Sequence, residues 1–499
     1  MDIGIKSSGL FSDYRPPVCN GKIIPKKTIR CVAFVLVLSA VRVAAALDVG
    51  FARVDVTPPM GTPISGYFGY RPAVGVLDPL EATCVAFSDG CSTALVYTVD
   101  NLHISDDIIA RAWTAVGKAT GVGRDGVYIA STHTHTGAAT ERAYYLIGAD
   151  PETEKAALAT LSQANDLLVS RIADAGRFAI ADLAPAELSI GRGACKGISF
   201  IRLFRMKDGS VSTNPGIGNP QIDRPVGEPD ETVQLVRIAR RGRKEIAIVN
   251  FQCHPDVIGG RSISADWPGF VRRTIERAMD GEVLCAFFNG AQGDTNHINV
   301  NPEPGRRART GYFHSRRMGR AVAGAALMAW DDCVPVKAGK VESRVRFVKV
   351  KANKDDPSLL PEARRIKAAH LAGRKDEIPY KGMAYTTVVA EAIRRVAMAD
   401  APDYFELPVS TVAIGGALAF AGFPGEPFTV LGTDLKERSP FAMTVPTCVT
   451  NGSWQYFATE EVYGFGGYEA RSAKLVSGVG ELLRDALLED LNAEFAKTR

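Results

Sequence analysis

Only seven of the 499 residues are histidine and nine are cysteine, and several familiar chemical signatures are missing altogether. No Gly-x-Ser-x-Gly elbow occurs, which argues against a serine hydrolase, and no His-Glu-x-x-His helix supports a zincin. Neither a P-loop nor a strand followed by Gly-x-Gly-x-x-Gly and a helix is present, so nucleotide cofactors are not indicated. No Cys-x-x-Cys spacing occurs, which argues against a thiolate zinc knuckle. No fixed-period repeat suggests a solenoid or propeller. Excess positive charge is also absent from the main body of the chain. Of 59 Lys/Arg and 55 Asp/Glu, the first 46 residues hold seven and two, leaving 52 basic against 53 acidic side chains. A nucleic-acid footprint, which needs clustered positive charge on the folded part, is therefore unsupported.

With 46% hydrophobic and 23% charged residues, the chain has globular values and length enough for a large core. Its beginning differs. Lys26, Lys27 and Arg30 precede the apolar run from Cys31 to Val41, and Ala44-Ala45-Ala46 offers small residues for cleavage. That order reads as a secretion signal over residues 1–46, directing the rest to the periplasm or medium. The run is too short for a comfortable membrane span, so an uncleaved anchor is the weaker reading. Seven cysteines follow the leader. Cys84 and Cys91 are the nearest in sequence for a disulfide, and burial as small apolar residues is the default for most of the others.

Strand and helix patterns alternate from residue 47 onward. Val49 to Val56, Ala94 to Val99, Val127 to Ala130, Val233 to Ile238, Ile246 to Phe251, Val283 to Phe288 and Ala417 to Ala421 read as strands. Asp106 to Ala119, Glu152 to Ala175, Trp267 to Met279, Gly311 to Ala329, Tyr385 to Met398 and Ala473 to Phe495 read as helices. The expected organisation is one catalytic domain over residues 47–499. Lys351 to Lys381, dense in charge, is expected to be an exposed helical excursion.

Chemistry-bearing residues cluster just past the apolar strands. Ser131-Thr132-His133-Thr134-His135-Thr136-Gly137 gathers two of the seven histidines, and on an extended chain residues two apart point to one side. His254 follows the strand ending at Phe251, and Glu426 follows the strand ending at Ala421. A catalytic zinc takes three or four N/O ligands from such separate strand ends. Taken alone, His254 is as readily a structural histidine before a turn, and Glu426 a solvated loop carboxylate. In Asn289-Gly290-Ala291-Gln292-Gly293-Asp294-Thr295-Asn296 the glycines permit tight turns, and Gln292, Asp294, Thr295 and Asn296 can orient water or substrate. The alternative there is an Asx-rich turn. His297 looks less central, and His103, His314 and His370 read as non-catalytic.

These segments resemble, in order, the neutral/alkaline non-lysosomal ceramidases: Val54-Asp55-Val56-Thr57-Pro58 with Gly66-Tyr67, the Ser131 to Gly137 run, His254-Pro255, Gln292-Gly293-Asp294, Pro424-Gly425-Glu426, and Thr459-Glu460-Glu461-Val462-Tyr463 with Tyr468-Glu469-Ala470. The resemblance implies layered mixed β-sheets flanked by helices, an α/β (mixed α+β) fold with the metal site at strand ends. It implies a secreted Zn2+-dependent hydrolase of N-acyl amides such as ceramide, acting through zinc-activated water and contacting a membrane surface to reach lipid. The implied zinc ligands are His133, His254, Glu426 and Tyr456. His135 would handle the proton, Arg202 would contact substrate, and Tyr468 would line the pocket beside the reacting carbonyl. Where ceramidases carry a serine in a Gly-Asp-x-Ser-Pro segment, Asp294 is followed here by Thr295 and Asn296, so a serine acyl-enzyme is not expected. A short, divergent member is implied, without the separate C-terminal sandwich domain that ceramidases add.

Two other readings compete. One is an amidohydrolase on a TIM barrel, whose His-x-His pair normally lies on the first strand, whereas here two strand signals precede it. The other is a secreted binding protein that keeps the fold without catalysis. Asn451-Gly452-Ser453 is a glycosylation sequon, relevant only in a eukaryotic secretory path.

Overall fold

Strands whose every residue is apolar need partners on both faces, and the chain supplies them as four layers. In the computed structural model, which describes residues 47–141, 150–302 and 310–498, two β-sheets pack face to face. The expected secretion signal, residues 1–46, lies outside the described residues. The larger sheet runs Val283–Asn289, Glu245–Phe251, Thr232–Arg240, Ala184–Ala194, Asp48–Asp55, Glu81–Ser88, Thr93–Val99 and Val127–Ser131, with Val334–Val336 also paired to Ala184–Ala194. The smaller runs Val341–Lys351, Tyr404–Ile414, Leu418–Gly422 and Met443–Thr447.

Alternation assigns each side chain its layer. Ala94 and Val96 face the smaller sheet, where Val412, Ile414, Leu418 and Phe420 meet them. Leu95, Tyr97 and Val99 face outward under helices Asp106–Thr120 and Pro151–Ala181. Likewise Ile246 and Ile248 point inward, while Ala247, Val249 and Phe251 lie under helices Asp266–Ala278 and Tyr312–Met328. Helices Thr429–Arg438 and Val479–Thr498 cover the far face of the smaller sheet.

Most strand pairs are antiparallel, and no closed (β/α)8 ring forms among the described residues. The TIM-barrel reading is thereby overturned. Within the two main sheets three pairs are parallel: Thr93–Val99 with Val127–Ser131, Glu245–Phe251 with Val283–Asn289, and Leu418–Gly422 with Met443–Thr447. Their carboxyl ends converge. Asn289 Nδ2 donates to Thr132 O at 3.1 Å, Asn250 Nδ2 donates to Pro446 O at 3.1 Å, and Cys448 N donates to Asn289 O at 3.2 Å. In open sheets the crevice beyond such ends is where ligands bind.

Several elements depart from the sequence reading. Glu81–Ser88, Ala184–Ala194, Val341–Lys351 and Met443–Thr447 are strands that the apolar pattern did not mark. The last helix begins at Val479 rather than Ala473, because Leu475 bridges to Ala352 and Gly478 turns left-handed at φ 83°. Within the charged stretch, helix Leu360–Leu371 packs on Gly382–Ala399 through Ala363, Ile366, Ala369, Val389 and Ile393. All seven described cysteines are free thiols, so Cys84 and Cys91 are not bridged, the first being buried and the second exposed. Asn451 is 1% exposed. Its amide accepts from Ile129 N at 3.0 Å and donates to Ser410 Oγ at 2.9 Å, so the sequon is closed to glycosylation in the folded chain.

The helix on the smaller sheet holds a misfit charge. Glu494 is 2% exposed, its Oε1 accepts only from Thr411 Oγ1 at 2.7 Å, and its Oε2 has no partner. Burial pushes its carboxyl up to about 7. A carboxyl raised in the folded state binds more protons there than in the unfolded chain, so stability falls as pH rises from the unfolded value of about 4.3 through 7. Glu494→Gln is expected to match the parent near pH 4.5 and exceed it by on the order of 2 kcal/mol at pH 8. Urea unfolding at both pH values checks this, and a pH-independent difference would refute it.

Candidate metal centre

The chain leaves the strand Val127–Ser131 through a left-handed turn rather than continuing extended. Thr132 N donates to Val99 O and His133 N to Asn101 O, both at 2.8 Å, and His133 has φ 70°. The expectation that an extended strand aims the two imidazoles together is corrected here. They converge, with ring centroids 5.2 Å apart and planes at 79°, because of the turn. A non-glycine residue in that region costs roughly 1–3 kcal/mol and persists only where its surroundings hold it. His133 Nδ1 is held by Leu102 O at 2.8 Å. Beneath the turn, Thr132 Oγ1 donates to Asp100 Oδ1 at 3.2 Å, and buried Arg272 grips the same carboxylate, with Nη1 3.0 Å from Oδ1.

His254 enters from the second parallel pair. Its Nδ1 faces two carbonyl oxygens, Gln292 O at 2.9 Å and Thr295 O at 2.8 Å. Those two acceptors fix Nδ1 as the protonated nitrogen and turn the Nε2 lone pair inward. Burial first, and then the Arg202 guanidinium, lower its pKa to about 4, so the ring is neutral at pH 7. The supporting loop comes very close: a Cβ on Gly293 would lie 2.5 Å from Glu426 O, and Gly293 N donates to Pro427 O at 2.8 Å.

Glu426 arrives from the third pair. Glu426–Pro427 forms a two-residue parallel ladder with Tyr456–Phe457, register Glu426 to Tyr456, and Glu426 N donates to Gln455 O at 2.7 Å. Its Oε2 lies 3.3 Å from His133 Nε2 and 3.1 Å from His254 Nε2. A neutral imidazole lone pair facing a carboxylate oxygen is an acceptor against an acceptor. A cation between them removes the conflict, and tetrahedral zinc with bonds of about 2.0–2.2 Å spaces its ligand atoms by roughly 3.3 Å.

His135 is the third imidazole. Its ring centroid lies 5.7 Å from that of His254, and the ligand atoms of His133, His135 and His254 all fall within 4.8 Å of one another. Both ring nitrogens are buried without a hydrogen-bond partner. Burial, and then neighbouring His133, keep its pKa well below 6.5. Tyr67 packs edge-on at 5.3 Å, and Gly66, at φ 107°, leaves space that a Cβ would deny, lying 2.8 Å from the imidazole. Donor types, burial, tautomer setting and spacing all fit a divalent ion.

The other expected residues divide into those at the cavity and those behind it. Tyr456 and Tyr468 line an open cavity of about 720 Å3 together with His133, His135 and Glu426. Tyr456 stacks on His254 at 6.4 Å and meets Tyr468 edge-on at 5.6 Å. Burial raises both phenols above their usual pKa. Arg202 is buried behind them. Its Nε donates to Glu469 Oε1 and its Nη2 to Gly293 O, both at 2.8 Å, while Nη1 lies 3.3 Å from His254 Nε2. Asp294 points away: its Oδ1 accepts from Thr429 N at 2.8 Å and Thr429 Oγ1 at 2.7 Å, fastening the start of helix Thr429–Arg438. Thr295 turns its hydroxyl to Gln292 O at 3.3 Å and serves the centre through its carbonyl.

Two features went unread in the sequence. His103, read as non-catalytic, lines the cavity and pairs with Glu141 at 3.1 Å. Glu469, quoted only as part of a motif, is fully buried and holds Arg202. A carboxylate between Tyr468 and Ala470 was the available signal, but its partner lies 267 residues away.

No protein-family model and no curated protein matches this sequence. Solved structures do. The neutral ceramidase from Pseudomonas aeruginosa superposes with a TM-score of 0.66 at 17% identity, over 91% of this chain and 75% of that one. A ceramidase complexed with C2 superposes at 0.65 and 16% identity, over 91% of this chain and 76% of that one. At such identity the likeness speaks to architecture: the chain has the neutral ceramidase fold.

Proposed function

We propose that this chain is an exported, zinc-dependent amidohydrolase that cleaves an N-acyl amide, ceramide or a related N-acyl lipid, into a fatty acid and an amine. The observation that carries the proposal is the approach of His133 Nε2 and His254 Nε2 to Glu426 Oε2, at 3.3 and 3.1 Å, beside the partnerless ring of His135. His133, His254, Glu426 and Tyr456 would hold the ion. When bound, a divalent zinc supplies Lewis acidity, lowering the pKa of a coordinated water to about 7 and polarising a carbonyl.

The protein's own groups then have distinct tasks. His135 takes a proton at a ring nitrogen from the attacking water and returns it to the leaving amine. Tyr468, on the cavity wall, donates its hydroxyl hydrogen to the developing oxyanion. Arg202, its Nε and Nη2 held by Glu469 and Gly293, keeps its guanidinium over the Tyr456 ring and beside His254, and would orient those two ligands. Tyr67, Phe68, Leu102 and Val449 give the cavity an apolar wall suited to an acyl chain. No helix among the described residues is long and apolar enough to cross a membrane.

The test is metal analysis of the purified protein together with a fluorogenic N-acyl amide panel of graded acyl length. Hydrolysis that stops on chelation and returns with zinc supports the proposal. His135→Ala is expected to retain the metal and lose about 100-fold or more in turnover, the range of a positioned general acid or base. Loss of the metal instead would make His135 a ligand. Bound metal with no turnover at any acyl length would favour a binding protein on this fold.

A further inference from the structure

Helix Tyr312–Met328 covers the outer face of the larger sheet and contains no aspartate or glutamate. Its inner face is packed: Ser315, Met318, Gly319 and Val322 are buried, and a Cβ on Gly319 would lie 2.6 Å from Trp267 O. Its outer face is unusual. Phe313 is 75% exposed, and Arg316, Arg317 and Arg320 follow at intervals of three, four and seven residues, which places all four on one side of the helix. The Arg316 guanidinium lies over the Phe313 ring at 5.1 Å. Among the described residues no carboxylate pairs with any of the three arginines, and Arg317 and Arg320 are exposed.

A large exposed aromatic within a run of unpaired cations matches an anionic, partly apolar surface. We propose that the Phe313, Arg316, Arg317 and Arg320 face docks the protein on the surface of an anionic phospholipid bilayer, the arginines meeting headgroup phosphates and Phe313 entering the headgroup–acyl boundary. With 52 basic against 53 acidic side chains after residue 46, the chain lacks the extended cationic footprint that a nucleic acid needs, which favours the bilayer as partner. Acidic residues Asp331 and Asp332 follow the far end of the helix, so the contact lies at its first two turns. That end is tied to the candidate centre: Gly311 N donates to Val257 O at 2.8 Å, three residues beyond His254. Docking there places the loop carrying His254 next to the bilayer.

Vesicle flotation tests the proposal with the full-length protein and no substrate, so the outcome is independent of the amidase reading. Phosphatidylcholine vesicles containing about one third phosphatidylglycerol should bind the protein at low salt and release it as ionic strength rises, while pure phosphatidylcholine should not. Each arginine near an anionic surface contributes roughly fivefold to partitioning. Arg317→Gln with Arg320→Gln should therefore weaken binding by about 25-fold, and the Arg→Lys pair should retain it. Phe313→Ala should weaken the binding that survives at high salt. Circular dichroism of each variant shows that the helix is intact. The proposal is overturned if the parent does not float with anionic vesicles, if the glutamine pair floats as well as the parent, or if heparin binds at least as tightly as vesicles in a Phe313-independent way.

Discussion

Replacing Glu426 with glutamine is expected to strip the protein of its metal and lower N-acyl amide turnover by at least about 100-fold, the upper end of what loss of even an outer metal partner costs. The expectation follows from one oxygen. Glu426 Oε2 is the atom that both His133 Nε2 and His254 Nε2 face, at 3.3 and 3.1 Å, and it supplies the negative charge for a site otherwise lined by imidazoles and phenols. An amide at this position keeps the shape, loses the charge and brings two N–H donors that a cation repels. His133→Ala should act similarly, because its lone pair is aimed inward by the Leu102 carbonyl. Metal content by mass spectrometry is the direct measurement. A second follows from linkage: an ion that binds only the folded chain stabilises it, so chelation should lower the unfolding temperature of the parent and leave Glu426→Gln unchanged. Stoichiometric metal in the glutamine variant would sink the assignment.

Breaking the pair beneath the His133 turn should be the most damaging single change to stability. Asp100 and Arg272 are each 1% exposed, and the carboxylate also accepts from Glu81 N at 2.9 Å and Thr132 Oγ1 at 3.2 Å. Arg272→Leu leaves Asp100 buried without its cation, a loss of about 3–5 kcal/mol. Exchanging both partners, as Asp100→Asn with Arg272→Met, removes the stranded charge and should recover much of that loss. Denaturant unfolding of the two single variants and the double variant measures the coupling. Because Thr132 hangs from the same carboxylate and precedes the left-handed His133, Arg272→Leu should also weaken metal binding. An unfolding free energy within 1 kcal/mol of the parent would show that the pair is dispensable.

The apolar runs were legible because a strand buried on both faces needs no alternation to be seen. Thr93–Val99, Glu245–Phe251 and Val283–Asn289 were all found that way. Ala184–Ala194 and Val341–Lys351 escaped because their apolar residues are mixed with glycine, proline or polar side chains that only neighbouring strands accommodate. The same limit applied to the candidate centre. Position after a strand end pointed to His133, His254 and Glu426, whereas His103 looked inert until its pairing with Glu141 on the cavity wall was visible.

By itself, the sequence determined which residue types were available: few histidines, no nucleophile elbow, no phosphate cradle, a balanced charge, and motifs in an order resembling one hydrolase family. Tertiary structure decided which of those residues meet. Three parallel strand pairs from two different sheets end at one place, and that convergence brings together side chains from positions 133, 254 and 426. It also decided which residues stand aside, turning Asp294 to a helix start and closing Asn451 to solvent. The physical reason is the same in each case. Residue identity fixes what a group can donate, accept or bind, but the direction in which it points is set by partners hundreds of residues away.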